Sequence, residues 1–168
     1  TAKRWPQARA SLEYALAQAR QHELGLESEA SFLALLAEAL AGCNELPHAL
    51  ETAQEAVAVA HRKKTLFWEL QSQISLAGVL LRGKIKMNQS RIIEALNRAD
   101  ELIEKTGGAV MKPFILNRQA ELAGFMGDQV SHQQLLHESY RLFRYMGATG
   151  HAEQLDAELR TAESSFEE

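Results

Sequence analysis

The segment Gly78-Val79-Leu80-Leu81-Arg82-Gly83-Lys84-Ile85 comes nearest to a chemical motif in this chain. It is one residue from a phosphate-binding loop, in which backbone amides cradle phosphate and a hydroxyl after the lysine holds Mg²⁺. Ile85 stands where that hydroxyl is needed, and Gly78 to Leu81 continues a helical pattern rather than opening a loop after a strand. A small packing residue, a helix end and a solvated turn account better for it. The six histidines do not converge: His132 and His137 are five apart, on different faces of a helix, no HExxH occurs, and His22, His48 and His61 fall at helix ends. Cys43 has no histidine within its own turn and reads as a partly buried structural thiol. Asn88-Gln89-Ser90 is a glycosylation sequon without meaning in a cytosolic chain. The basic runs Arg62 to Lys64 and Arg82 to Lys86 with Arg91 lack interleaved aromatics and sit in a chain of net charge −4, so they read as solvated ends and not as a nucleic-acid surface. No catalytic, cofactor-binding or metal residue is assigned, no cofactor is expected, and the chain itself is expected not to be an enzyme.

The elements behind these residues are helices. Of 168 residues, 46% are hydrophobic, much of that Ala and Leu, with three prolines. One cysteine makes no internal disulfide and fits a reducing compartment, and no apolar run approaches the roughly 18 residues of a membrane span, so a cytoplasmic location without membrane contact is expected. The organising stretch is Leu46 to His61, LPHALETAQEAVAVAH, with a near copy at Trp5 to Arg20. Pro6 and Pro47, Ala8 and Ala49, Ala15 and Ala56, and Ala19 and Ala60 match at an offset of 41. Each proline suits a first helical turn, and the alanines make a narrow stripe for close helix packing. At the same offset Leu33 matches Ile74, Ala37 matches Gly78 and Leu40 matches Leu81, so the repeating unit is a helix pair.

In order, the pattern predicts a leading helix over 5–22, helix pairs over about 28–62, 66–106 and 110–146, and a capping helix over 149–165, followed by a fraying acidic tail, SSFEE. The stretch RGKIKMNQS is expected to be a loose connection closing at Ser90 as N-cap. Thr65 is the expected cap of the helix from Leu66, and Ser131 with Gln134 reads as a capping box. Pro113 belongs in an opening turn. Together these make one all-α domain over 1–168, a run of αα-hairpins that begins inside a repeat and is expected to be a fragment of a longer protein.

The small residues Ala37, Gly78 and Ala123, each followed three positions on by Leu40, Leu81 and Met126, and the second-helix alanines Ala49, Ala56 and Ala95 resemble the tetratricopeptide repeat. The period, 41 to 46 residues, exceeds that family's usual 34 or so and looks like its long-repeat variety. The closing segment Tyr140 to Leu159 resembles the last repeat in the C-terminal region of bacterial multidomain adenylate or guanylate cyclase–ATPase signalling proteins. The resemblance implies a right-handed α-α superhelix of about eight antiparallel helices. Its implied role is protein–protein interaction, as a scaffold segment of such a protein whose cyclase or ATPase chemistry resides in other domains. The partner would be a protein or another domain of the parent, with a homodimer as a further possibility. The alternative is a ligand-sensing or oligomerisation segment of an ATP-dependent transcription regulator. Carried over position by position, the partner-binding groove comprises Ser31, Ala34, Glu38, Ser72, Ser75, Val79, Arg82, Asn117, Ala120 and Gly124; the basic carboxylate clamp of chaperone-binding members is not reproduced. On this reading Val79→Glu and Ala120→Arg would leave folding intact. Trp5, Leu12 and Leu16 would be more exposed than their counterparts Leu46, Ala53 and Val57, on a face that a second copy covers.

Overall fold

The computed structural model describes residues 4–164, with side chains through residue 160. Among them are eight α-helices and no strand: α1 (Trp5–His22), α2 (Glu29–Gly42), α3 (Leu46–Lys63), α4 (Leu66–Leu81), α5 (Ile85–Thr106), α6 (Lys112–Phe125), α7 (Gln129–Tyr145) and α8 (Thr149–Ser164). Ser164, the first residue of the tail expected to fray, ends α8, and residues 165–168 lie outside the described residues. No described helix is long and apolar enough to cross a membrane.

By packing the chain groups into two units, one running to Gly107 and the other from Gly108. The first holds α1 to α5, in which α2 packs on α3, α4 on α5, and α2 also on α1 and α4. The second holds α6, α7 and α8, with α7 packed on both others.

Helix ends follow local chemistry. Pro6, Pro47 and Pro113 lie in first turns, where their missing N–H removes no ladder bond. α1, α3 and α5 each end on a left-handed residue, Glu23, Lys64 and Gly107, which sets their equivalence at offsets of 41 and then 43. With that second offset, the buried residues of α3 (Ala49, Thr52, Ala53, Ala56, Val59, Ala60) map one for one onto those of α5 (Ile92, Ala95, Leu96, Ala99, Leu102, Ile103).

Three caps depart from expectation. α5 begins at Ile85, so RGKIKMNQS is mostly helix and Ser90 lies inside it; the Asn88 amide donates to the Lys84 carbonyl and supports the first turn. α7 begins two residues before Ser131, because the Asp128 carboxylate, not Ser131, is the cap, accepting from the Ser131 backbone N–H at 3.0 Å. A hydrogen bond from the Ser131 side chain, and then that from its backbone N–H, holds the Asp128 carboxyl below its usual range. Thr65 occupies its expected position, yet its hydroxyl donates back to the Ala60 carbonyl and caps nothing forward.

The first core joins Leu16 of α1 with Leu33, Ala37 and Leu40 of α2, the alanines of α3, and Val79 of α4. Leu16 is buried while its counterpart Val57 is only half-buried, against expectation; Leu12 is indeed more exposed than Ala53. Trp5 is half-buried against Gly42, where any Cβ would meet its ring at 2.3 Å. The second core gathers Ala120, Leu136, Phe143, Ala152, Leu155 and Leu159, with Phe114 edge-on to Phe143 at 5.0 Å.

Candidate functional site

Six of the ten expected groove residues are packing residues. Ser31, Ala34, Ser72, Ser75, Val79 and Ala120 are all buried. The Ser75 hydroxyl donates to the Ala34 carbonyl at 2.8 Å, and Ser31 donates to Gln71 Oε1 at 2.9 Å. Ala34 and Ser75 are the same repeat position 41 residues apart, so the face assigned to a groove is the seam along which α2 and α4 meet in register. Ser72 turns its hydroxyl back to the Trp68 carbonyl, and Ala120 offers its carbonyl to His132 Nδ1 at 2.8 Å. Gly124 makes room for that imidazole, since a Cβ there would stand 3.0 Å from Nδ1.

The remaining four are more open. Arg82 is exposed and lies 5.8 Å from the Trp5 ring centroid, Glu38 is half-buried, and Asn117 is half-buried with its Oδ1 enclosed and without a hydrogen-bond partner. A groove-binding role for Val79 and Ala120 is therefore corrected: a charge at either site enters a core.

Unpartnered surface appears elsewhere, and the buried carboxylates explain where. Glu29, in the first turn of α2, accepts from Arg20 Nε of α1 at 2.8 Å and Lys63 Nζ of α3 at 2.7 Å. Burial alone would push its carboxyl up, but the hydrogen bonds from Lys63 and Arg20 outweigh that and hold it below the ordinary range. Glu69, in the first turn of α4, is likewise buried and receives Arg98 Nε and Nη2 of α5, each at 2.8 Å, with His61 of α3 at 3.7 Å. Its hydrogen bond to Glu69, and then that to Glu101, raises the Arg98 guanidinium further above its ordinary value.

The two sites differ in what crosses above them. Over α2, Arg20 Nη2 of α1 reaches Glu55 of α3 at 2.7 Å, and Arg9 reaches Glu45, so two ion pairs lace α1 to α3. The corresponding positions over α4 are His61 with Arg98 and Leu50 with Asn88, and neither couple is an ion pair. Both straps are missing.

An open trough of about 980 Å³ results. Val57 and His61 of α3 form one wall, Ile93, Asn97 and Arg98 of α5 the other, and Glu69, Gln73 and Leu76 of α4 the floor. Leu76 and Val57 are half-buried and Ile93 is 40% exposed, which supplies an apolar strip between polar rims. No protein-family model, curated protein or solved structure matches the chain. Among the described residues no group of His, Cys, Asp and Glu is placed to hold a metal ion.

Nothing in the sequence reading singled out this trough. The signal was present in the repeat alignment: a basic and an acidic residue at two matched positions become His61 and Arg98 one repeat later.

Proposed function

We propose that this chain is a helical-repeat module for protein–protein interaction, of tetratricopeptide-like hairpins, and that the trough over α4 is its binding surface. The right-handed stacking implied by the resemblance is part of this proposal for the hairpins of the first unit. A setting in a larger cyclase-type signalling protein rests on the closing segment Tyr140 to Leu159 alone. The observation that carries the binding surface is the contrast between two equivalent clefts, one laced by Arg20–Glu55 and Arg9–Glu45, the other open with an apolar strip. A cleft flanked by two helices and floored by a third suits an amphipathic or extended segment that inserts apolar side chains. The buried carboxylates and serines are occupied within the fold: Glu29 accepts from Arg20 and Lys63, Glu69 accepts from Arg98, and Ser72, Ser75 and Ser139 donate to backbone carbonyls. A scaffold uses its ionisable groups in this way, whereas general acid–base chemistry needs them free to exchange protons.

Panning a library of displayed peptides against the wild-type chain tests the reading, with Ile93→Arg as counter-screen. Ile93 is on the surface of α5, so the substitution leaves the fold intact while obstructing the trough. Selected peptides are expected to lose at least about tenfold in affinity for the variant. Equal affinity for both proteins would remove the trough as the site.

A further inference from the structure

We infer that the occupant of the trough over α4 is an acidic peptide segment, whose carboxylate seats between His61 and Arg98 while neighbouring apolar side chains lie on Val57, Leu76 and Ile93. This inference rests on the interaction reading above and specifies its partner chemistry. Where α1 and α3 are laced, one wall offers a donor, Arg20, and the other an acceptor, Glu55, and the pair is complete at 2.7 Å. At the corresponding positions over α4 the walls carry His61 and Arg98, and no carboxylate stands where Glu55 does.

Arg98 has capacity for it. Its Nε and Nη2 are committed to buried Glu69, but Nη1 bonds only to Glu101, whose side chain is 59% exposed. An exposed pair of that kind is worth little and exchanges readily. His61 is exposed at the rim with its Nδ1 3.7 Å from Glu69, beyond a direct hydrogen bond, so its ring is free to turn toward a carboxylate. The remaining charges around the trough are Arg91, Glu94 and Glu101. Glu94 and Glu101 are exposed on the α5 side, so an entering carboxylate is drawn to the His61 side of Arg98. A basic segment would find Glu69 already buried beneath Arg98, with Glu94 and Glu101 on the α5 side as its available acids.

The test uses the full chain and fluorescence anisotropy with labelled peptides of about 14 residues, carrying leucines at helical spacing around a central pair of glutamates. Matched peptides carry glutamine or lysine in place of the glutamates. The glutamate peptide is expected to bind at least about tenfold more tightly than either. His61→Glu should weaken it by a similar factor, because the new carboxylate pairs with Arg98 and laces the trough shut; an unchanged or raised melting temperature shows that the variant is folded. Glutamate and glutamine peptides that bind alike, both lost with Ile93→Arg, would overturn the acidic partner and keep the trough. Binding indifferent to Ile93→Arg would overturn both. No binding by the glutamate peptide at millimolar concentration, or its full affinity for His61→Glu, overturns the inference.

Discussion

Gly42→Ala is expected to destabilise the first unit, although alanine is the better helix former. Gly42 is the last residue of α2, and the Trp5 indole lies directly on it. A methyl group there would stand 2.4 Å from Trp5 Cγ and 2.3 Å from Cδ2. Cγ is fixed to the Trp5 Cβ, so turning the ring does not clear the contact. Either Trp5 leaves its rotamer or the start of α1 shifts. Against this, Gly to Ala gains at most about 1 kcal/mol in a helix interior, and less at a terminal position. Overpacking costs about 1–3 kcal/mol, and losing the Arg82 cation over the ring a further ~0.5–1 kcal/mol at an exposed site. The net is a loss of about 1–2 kcal/mol, or roughly 5–10 °C in Tm for a unit of this size. Thermal melts followed by circular dichroism give the shift, and tryptophan emission should move to the red as Trp5 is exposed, with Trp68 the only other contributor. In a Trp5→Ala background the sign should reverse, Gly42→Ala becoming neutral or slightly stabilising. A rise in Tm for Gly42→Ala with Trp5 in place would refute the reasoning.

Three further outcomes follow from burial and charge. Ala56, fully buried in the alanine face of α3, should not accept a ring, and Ala56→Phe is expected to cost about 1–3 kcal/mol or more, read as a lowered Tm; a Tm within a degree or two of wild type would remove Ala56 from the core. Val79→Glu buries an unpaired charge and should cost several kcal/mol, with loss of helicity at moderate temperature as the readout. Glu29→Gln should cost about 1–3 kcal/mol at pH 7. Because the Glu29 carboxyl is held below its ordinary value in the folded chain, its stabilisation is fully present above the unfolded carboxylate's titration and fades as pH falls through the folded one. Wild-type and Glu29→Gln denaturation midpoints should therefore converge in acid, and a gap that stays constant down to pH 3 would contradict the pairing with Arg20 and Lys63.

Helix existence was legible because periodicity and Pro or Gly punctuation are local. α1 matches its expected bounds of 5–22, and the alanine stripe of α3 is the buried face that its spacing implied. The start of α5 was obscured by Gly83, the lysines and Ser90, which imitate a loop closing on a cap, whereas a side-chain bond from Asn88 carries the helix through them. The face along which α2 and α4 meet each other was not legible. Both are apolar nearly all round, so position alone could not separate a seam from a groove; the Ser75–Ala34 bond decides it. The ion-pair clamps join residues such as Glu29 and Lys63, 34 apart in sequence, which no local pattern connects. Their pattern becomes readable only once the offset between α3 and α5 is known to be 43, and the left-handed ends at Lys64 and Gly107 fix that offset.

The most direct measurement of the binding surface is amide chemical-shift mapping on the isotope-labelled chain as a peptide selected by panning is added. The trough account predicts saturable shifts concentrated at Val57, His61, Gln73, Leu76, Ile93 and Asn97, on both walls and the floor. Shifts confined instead to the outer face of α7 around Val130, His137 and Tyr145, with those residues of the trough unmoved, would contradict it.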